Sequence, residues 1–510
     1  MHKRTSFLWL LLALVLVSCS DNSGPAMGNE SERLLVRGIG GDPGTLDPGL
    51  AEDVHAFTVL VDTYEGLVTE NAAGGLSPGV AERWDISDDA MVYTFHLRSN
   101  ARWSNGDPVV AADFVRAIER VLDPQMLSPY GSLLNAIEEL DAKSDQVLEI
   151  RLATPASHLL ALLALPVAFP RHQTGDVSIS NGAYVLVDRD IGANVKARKN
   201  PYYRDADAVY FDDVTYLTVV DSNSEFNMYR SGEIDITHDI PQAWVAELLR
   251  TERADARISA SLSMYYLAFD MTQPPFDDAG LRQSLSMAID REAIVSALGR
   301  GDQPAFSVVP PGVSGYDSAA YQWANWPHEE RQRRALQLYR DAGYRDGNKL
   351  QITLIYDVGD VHEKIAIAVS SMWRDVLGID TSIEKREWQY FLDTREQRDD
   401  WDVMRFAWVG DYNAPQTFLD IFRSGDEQNL AAYSNSAFDQ RLAEAANHHN
   451  QQAAARILRS AEDIVLNDYP IAPLYFYASR HMVDDSIGGF QENIVDRHPS
   501  RFLFRKPIDE

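Results

Sequence analysis

Two hydrophobic periods alternate along this chain, one typical of strands and the other typical of helices. VYTFHL (92–97) alternates apolar and polar residues as a half-buried strand does, whereas PVVAADFVRAIERVL repeats apolar residues at helical spacing. The same order follows in VTYLTVV (214–220), a strand candidate, and NSEFNMYRSGE, a helix candidate. Strands that alternate with helices indicate α/β architecture.

The second half of the chain repeats this alternation. DDAGLRQSLSMAID predicts a helix, and Asp290 is placed to cap a second helix, REAIVSAL, which stops at Gly299. The remaining elements predicted there are, in order, a helix over ERQRRALQLYRDAG with Gly343 as its C-cap, the strand LQITLIY, a helix over HEKIAIAVSSMWRDVLG, the strand DVMRFAWV (402–409), helices over 436–447 and 452–467, and the strand PLYFYA.

Length and charge narrow the class of protein. A chain of 510 residues exceeds the size at which a single core stops growing, so two or more lobes are expected. Its 45% hydrophobic content fits a globular protein. The formal net charge of −30 would repel nucleic acid and anionic lipid, so neither is an expected binding partner of the folded part.

Residues 1–18 at the N-terminus are predicted to form a lipoprotein signal peptide. A basic start, MHKRTSF, precedes the short apolar run LWLLLALVLV, and the run ends in Leu-Val-Ser-Cys, which resembles the bacterial lipoprotein box. Cys19 is the only cysteine, so it has no disulfide partner within the chain and is expected to carry the lipid. Cleavage before it would remove Lys3 and Arg4 and leave 44 basic and 76 acidic residues, a net charge of −32. The polar stretch 19–32 is then a tether.

Sequence patterns of enzymes and metal sites are largely absent. GVSGY lacks the last glycine of a nucleophile elbow, and neither HEERQ nor HEKIA completes the zinc motif HExxH. GIGGDPG breaks the dinucleotide spacing, and the acidic stretch 205–213 lacks the spacing of an EF-hand calcium loop. His448 and His449 fall on a polar helix end. The sequence therefore favours a protein that is not an enzyme and that uses no cofactor or metal.

A set of short sequence motifs, which we call phrases, resembles those of a known family in both content and order. They run from about residue 33 to 505: TLDP, YEGLV, PGVAERW, YTFHLR, ARWSNGDPV, NGAY, RKNPYY, YRSGEID, SMAIDREAI, DAGY, EWQYFLDTR, WVGDYNAP and PLYFY. Together they resemble the oligopeptide-binding proteins of ABC peptide importers. The resemblance implies an α/β clamp of two hinged lobes with an extra inserted domain. It places lobe one at 33–54, 180–268 and 478–510, the extra domain at 55–179 and lobe two at 269–477.

The resemblance also assigns a ligand and a site. A carrier of many peptides can pair with the backbone ladder that all peptides share, but it must neutralise the charged α-ammonium. In the family, the acid of the Trp-x-x-Asp-Tyr phrase meets this ammonium, which implies Asp411 here, with Trp408, Val409 and Gly410 beside it as the ladder. A helix cap is the alternative role of Asp411.

Further site residues follow from the same resemblance. Arg405 and His362 match positions that can meet a peptide carboxylate, and Asp42 matches an acidic position on the opposite wall. Trp388 is expected to line a side-chain pocket. Tyr475 or Tyr477 is expected against the ligand backbone. A surface ion pair remains the alternative for Arg405, a surface position for His362, and plain core packing for Trp388.

Several functions remain open on the sequence alone. The same fold could bind dipeptides, cell-wall peptides, nickel or haem, and a peptide-sensing lipoprotein would need no permease. A peptidase using Asp411 and His362 lacks a nucleophile or metal. The interpretation that the resemblance favours is a binding protein in the periplasm or cell envelope, lipid-anchored to a membrane through Cys19, that delivers oligopeptides to the permease subunits of an ABC importer.

Overall fold

The structure is a computed structural model that describes residues 33–397, 401–448 and 450–507. Cys19 and the signal segment lie outside these residues. The strands of the described residues are β1 Leu34–Gly38, β2 Val68–Glu70, β3 Leu76–Pro78, β4 Ala81–Ile86, β5 Val92–Leu97, β6 Ile137–Ser144, β7 Val147–Leu152, β8 Tyr184–Asp190, β9 Asn194–Lys199, β10 Asp213–Leu217, β11 Ala256–Phe269, β12 Gln303–Pro304, β13 Gln351–Asp357, β14 Asp380–Arg386, β15 Val403–Val409, β16 Ile471–Met482, β17 Ile487–Gly488 and β18 Phe504–Arg505.

The helices of the described residues include all those that were predicted, with ends close to the predicted residues. They are α1 Val54–Thr63, α2 Ala111–Leu122, α3 Leu159–Leu162, α4 Ser222–Ser231, α5 Gln242–Thr251, α6 Ala279–Met287, α7 Arg291–Leu298, α8 His328–Asp341, α9 Asp360–Leu377, α10 Trp388–Gln397, α11 Gln416–Leu419, α12 Ser436–Ala446 and α13 Gln451–Asp468. The predicted cap is confirmed, because the Asp290 carboxylate accepts a hydrogen bond from the backbone N–H of Ala293. Gly299 ends α7 with a φ of 62°, a conformation that glycine adopts without strain.

A four-stranded sheet with the order β1-β10-β9-β8 forms one layer. β1 is parallel to β10, although about 175 residues separate them in the sequence, and β8 and β9 form an antiparallel pair. The C-terminal segment closes against α1, since the Asp62 carboxylate accepts hydrogen bonds from the backbone N–H and hydroxyl of Ser500 at 2.7 and 2.6 Å. The C-terminal segment therefore stabilises the N-terminal part of the fold that contains α1.

A six-stranded sheet with the order β12-β16-β11-β15-β13-β14 forms the centre of the second half. Its two long strands, β11 and β16, are antiparallel and pair from Ala256↔Met482 to Ala268↔Ile471, with a register shift between Ala260 and Met264. α6 to α13 pack around this sheet, and fully buried side chains such as Leu285, Val369 and Leu474 form its core. This arrangement confirms the α/β class.

A separate antiparallel sheet, β4-β5-β7-β6, is covered by α2. The predicted apolar face of α2 is confirmed, because Phe114, Ile118 and Val121 are buried. The core of this sheet is continuous with that of the β1-β10-β9-β8 sheet, so these two sheets pack as one body. Of the described helices, none combines the length and the apolar character needed to cross a membrane.

Candidate binding site

A cavity of about 210 Å³ opens where several parts of the chain meet. Its wall is formed by β1 and α1, by the C-terminal segment from Val495 to His498, and by the end of β15 with Asp411, which comes from the six-stranded sheet. Tyr130, from the region of α2, completes it. We call this space the Asp411 cavity. Because its walls come from both halves of the molecule, movement of one half relative to the other would open or close it.

Asp411 presents a half-buried carboxylate to this cavity. Its Oδ1 accepts a hydrogen bond of 3.1 Å from the Tyr130 hydroxyl, and its backbone carbonyl accepts one of 3.0 Å from Arg497. Burial raises the pKa of Asp411, which the Tyr130 hydrogen bond and the Arg497 charge partly oppose. Among the described side chains, none forms an ion pair with it; Arg497 pairs with Glu70 at 2.8 Å instead. The carboxylate is therefore available to a cationic group of a ligand.

The helix-cap alternative for Asp411 does not hold. The nearest helix that follows, α11, starts at Gln416 and has Pro415 as its N-cap. Asp411 lies four residues before that cap and contacts Tyr130 instead. Its position is not explained by local turn chemistry.

The end of β15 has one free edge. β15 pairs with β11 along its whole length, from Phe269↔Val403 to Ser263↔Val409. On its other side, β13 pairs with it only at Val403 and Met404. Among the described residues, no strand therefore covers the edge from Arg405 to Val409. A row of unpaired N–H and C=O groups at such an edge can pair with an extended peptide.

Trp408, Val409 and Gly410, the residues expected to pair with a peptide backbone, differ in exposure. The Val409 side chain is 65% exposed, and Trp408 is half-buried, with no described group accepting a hydrogen bond from its Nε1. Gly410 donates its N–H to the Leu262 carbonyl on β11 at 2.7 Å. Because successive N–H groups of a strand point to opposite sides, the N–H of Val409 faces the free edge.

Arg405 and His362 lie together around one acid, and we call this group the Arg405 cluster. Arg405 is buried and donates a hydrogen bond of 2.7 Å to Asp357 Oδ1, while His362 Nε2 lies 3.8 Å from Asp357 Oδ2. The guanidinium lies over the Tyr265 ring, 4.8 Å from its centroid. Burial and, to a smaller extent, the Arg405 charge lower the pKa of His362 to about 4. Arg405 is thus in an ion pair, but a buried one rather than a surface one.

The two candidate tyrosines differ in access. Tyr475 is fully buried and stacks on Tyr265 with a centroid distance of 4.9 Å. Tyr477 is half-buried, meets Tyr475 edge-on at 5.1 Å, and has the Arg300 guanidinium 5.6 Å from its centroid. Tyr477 is therefore the one of the two with a surface to offer a ligand.

Of the predicted ligand-binding residues, Val409, Gly410 and Asp411 line the Asp411 cavity, and the others, including Trp388 and Asp42, do not. Trp388 begins α10, is 48% exposed and stacks on Phe391, which rules out plain core packing. Asp42 forms an ion pair of 2.9 Å with Arg189 and accepts a hydrogen bond from the Gly192 N–H, so its charge is already neutralised. The structure does not bring Asp42 to the cavity wall.

Sequence reasoning missed Tyr130 and the C-terminal segment of the site. Tyr130 and Asp411 are 281 positions apart, and no local pattern connects them. Arg497, Asp496 and His498 belong to VDRHPS, which none of the family phrases includes. Their only visible signal was a concentration of charged and imidazole groups near the C-terminus.

Comparison with known proteins decides the family. The family model of bacterial extracellular solute-binding proteins, family 5, middle region, matches residues 75–429. The chain belongs to this family. Within it, the periplasmic oligopeptide-binding protein OppA of Salmonella typhimurium is 33% identical over 94% of this chain and 94% of its own.

Comparison with solved structures of family members indicates the conformation of this protein. The unliganded open form of the murein tripeptide-binding protein MppA superimposes with a TM-score of 0.87 at 32% identity, covering 93% of this chain and 97% of that one. A second structure, that of Escherichia coli MppA, gives 0.73 at the same identity, with 93% and 98% coverage. The family 5 fold is thus present with its lobes arranged as in the open form.

Proposed function

We propose that this solute-binding protein captures oligopeptides between its lobes and delivers them to the permease subunits of an ABC importer. One observation carries the proposal: a half-buried carboxylate without an ion-pair partner among the described residues, Asp411, directly follows a strand with a free edge. A peptide has both complements, an α-ammonium and a backbone ladder that starts beside it. The similarity to OppA, an oligopeptide-binding protein, and to MppA, a murein tripeptide-binding protein, supports this ligand class.

Each end of the peptide has a proposed partner. The α-ammonium would meet Asp411, and the first residues would pair with Trp408, Val409 and Gly410. The carboxylate would approach Arg405, which supplies the positive charge, and His362, whose ring is neutral near pH 7 because its pKa is about 4. Since Asp357 already neutralises part of that charge, the carboxylate end would be held less strongly than the ammonium end. Such a site tolerates peptides of different lengths.

Side-chain contacts complete the proposed site. The exposed ring of Trp388 would line a side-chain pocket, and Tyr477 rather than Tyr475 would contact the ligand. Asp42 is not part of the proposed site; its bond to Arg189 holds the loop after β1 against the β8–β9 turn.

The clamp would bend where β11 and β16 pass between the lobes. The resemblance ends lobe one at residue 268, but β11 pairs with β15 from Ser263 onward, inside the sheet of lobe two. We therefore place the crossing near the register shift between Ala260 and Met264. The extra domain, 55–179, would move with lobe one, because their cores are continuous.

We further propose that Cys19 carries lipid and anchors the protein to the envelope membrane. The lipoprotein box in the sequence supports this. Replacement of Cys19 by alanine is expected to leave the signal segment uncleaved and the protein unlipidated. An unchanged mass and membrane fraction in Cys19→Ala would exclude the anchor without affecting the peptide-binding proposal.

The peptide proposal is tested by native mass spectrometry and thermal melting. Protein purified gently is expected to carry peptide masses. After unfolding and refolding to remove ligand, a pool of tri- to pentapeptides is expected to raise its Tm by mass action, whereas free amino acids, which lack the ladder, are not. Incubated peptides are expected to stay intact, which separates a binder from a peptidase. If the peptide pool left the Tm unchanged, the proposal would be refuted. A rise with murein tripeptide alone would favour the cell-wall alternative.

A further inference from the structure

Two histidines and an aspartate converge in the wall of the Asp411 cavity, and we call them the triad. His481 lies near the end of β16, and Asp496 and His498 lie in the C-terminal segment. Asp496 Oδ1 is 2.8 Å from His481 Nε2 and 3.2 Å from His498 Nε2, and one potential ligand atom from each residue lies within 4.8 Å of the others. All three residues line the cavity.

The distances suit a tetrahedral metal ion. Zinc binds imidazole nitrogen and carboxylate oxygen at about 2.0–2.2 Å, so its ligand atoms stand about 3.3 Å apart. The separation of 3.2 Å between Asp496 and His498 is close to this value, and that of 2.8 Å between Asp496 and His481 would lengthen by about 0.5 Å, so a metal could enter with small side-chain shifts. Two imidazoles and one carboxylate are also a donor set that borderline metals such as zinc prefer.

The groups around the triad hold its rings in place. His481 Nδ1 lies 2.8 Å from the Thr237 carbonyl, to which it can only donate, so in the neutral ring Nε2 carries the free lone pair. Metal-binding histidines typically donate their other N–H in this way. The His498 ring stacks on Phe490 with a centroid distance of 3.9 Å. Its Nδ1 is 3.4 Å from the Asn493 amide, too long to fix the tautomer.

The backbone at Asp496 shows that its carboxylate position is maintained at a cost. Asp496 has a φ of 55°, in the left-handed region that few non-glycine residues adopt. This conformation turns the chain so that Asp496 and His498 face the same point. Residues in such conformations concentrate at binding sites.

We propose that His481, Asp496 and His498 bind a divalent metal ion of the zinc class, with a fourth coordination position open to the Asp411 cavity. The side chain of Asp496 is 34% exposed, whereas those of His481 and His498 are 11% and 5% exposed, so access is from the carboxylate side. The metal replaces the protons that otherwise join the two rings to Asp496. Metal binding at the triad does not depend on the proposed peptide function.

The position of the triad connects it to the rest of the cavity. Arg497 lies between two of the ligands and donates hydrogen bonds to the Asp411 carbonyl and to Glu70. A metal at the triad therefore orders the segment that touches lobe two. Water, or a carboxylate or imidazole of a molecule in the cavity, can take the open position.

Cobalt and zinc titrations of the full chain, without a histidine tag and after removal of metal by a chelator, test the proposal. One equivalent of Co²⁺ is expected to give the intense visible absorption of a tetrahedral site, and Zn²⁺ is expected to displace it. His481→Gln, His498→Gln and Asp496→Asn are each expected to weaken Zn²⁺ binding at least tenfold. The matched control is His96→Gln, which removes another histidine bonded to an aspartate, Asp85 at 2.9 Å, and is expected to bind Zn²⁺ like the wild type.

A measurement on the wild type keeps the test independent of how the variants fold. X-ray absorption of the zinc-loaded protein is expected to show two imidazoles and light oxygen or nitrogen ligands. A sulfur ligand, from Cys19 or from a methionine, would place the metal outside the triad and overturn the proposal. Absence of stoichiometric binding, or equal binding in the triad variants and in His96→Gln, would also overturn it.

Discussion

At the scale of single residues, the environment of Asp411 differs from that of three acids that have an arginine partner. Asp42 pairs with Arg189, Asp357 with Arg405 and Glu70 with Arg497, whereas among the described side chains the neutral Tyr130 hydroxyl is the group that hydrogen-bonds to the Asp411 carboxylate. Burial opposes its charge, as the direction of its pKa shift shows. A cationic group of a ligand would supply the positive partner that the Asp411 side chain lacks. It would also favour the ionised form of the carboxylate, which burial disfavours.

Asp411→Asn is therefore expected to weaken peptide binding by about 3–5 kcal/mol, or two to four decades in Kd. The amide keeps the shape, so the loss reflects the charge. An N-acetylated peptide lacks the ammonium and is expected to bind the wild type poorly. Acetylation is expected to harm the variant much less. Calorimetric titration of both proteins with both peptides measures this coupling.

The matched control is Asp42→Asn, which removes a carboxylate that is paired and outside the cavity. It is expected to keep the wild-type affinity and its sensitivity to acetylation. If the effects of Asp411→Asn and acetylation were additive, Asp411 would not be the partner of the ammonium.

His362 is expected to make the stability of the protein depend on pH. Its pKa falls from 6.5 to about 4 on folding, because burial and the Arg405 charge oppose its protonation. Between these values the unfolded chain binds more protons than the folded one, so the free energy of unfolding falls as the pH falls from about 6.5 to about 4. The full effect is roughly 3 kcal/mol. Asp357, Arg405 and Arg300 are the charged groups that act on it.

Urea unfolding at several pH values, for the wild type and His362→Gln, measures this contribution. The variant is expected to lose less stability than the wild type across that range. Parallel pH profiles for the two proteins would show that His362 titrates normally in the folded state.

At the scale of elements, the free edge of β15 predicts a role for the Val409 N–H. Val409→Pro removes this donor, and the preceding residue is already extended, as proline requires. Peptide affinity is expected to fall by about 1–3 kcal/mol, the cost of leaving a peptide carbonyl unpaired. Val409→Ala keeps the N–H and removes a largely exposed side chain, so it is the control. Equal affinities for the two variants would mean that the peptide does not pair with this edge.

Elements with strong local signals were predictable, and those that depend on tertiary pairing were not. α7 is bounded by Asp290 and Gly299 as predicted, because a cap and a left-handed glycine act within a few residues. The fourteen-residue strand β11 was missed. Its first half, ARISASLS, alternates apolar residues with arginine and serine in a pattern of weak hydrophobicity, and it pairs with β16, while β15 pairs with the strand only from Ser263 onward.

At the scale of the whole molecule, periodicity predicted the α/β class, but not the arrangement of the sheets. The parallel pairing of β1 with β10 and the return of β16 beside β11 join segments far apart in sequence. Only the ordered phrases of the family suggested a clamp. They could identify Asp411, which lies in one such phrase, but not Tyr130 or the triad, which lie in none.

The closeness of this structure to an unliganded open form predicts a change of shape on binding. A peptide that contacts Asp411 after β15 would also contact the opposite wall of the cavity, which includes Arg37, Phe57 and the C-terminal segment. Ligand contacts made in only one of two conformations shift the equilibrium toward that conformation. Peptide is therefore expected to favour the closed form and to reduce the radius of gyration, with a stabilisation of about 2.7 kcal/mol at a hundredfold excess over Kd.

Small-angle scattering of the ligand-stripped protein, with and without peptide, measures the closure. Asp411→Asn at the same peptide concentration is expected to retain the open radius, because little peptide is bound. At concentrations that saturate the variant it is expected to close like the wild type, since the bend at β11 and β16 is intact. A wild type that binds peptide by calorimetry but keeps its open scattering profile would show that the ligand contacts one lobe only, and the clamp mechanism would be wrong for this chain.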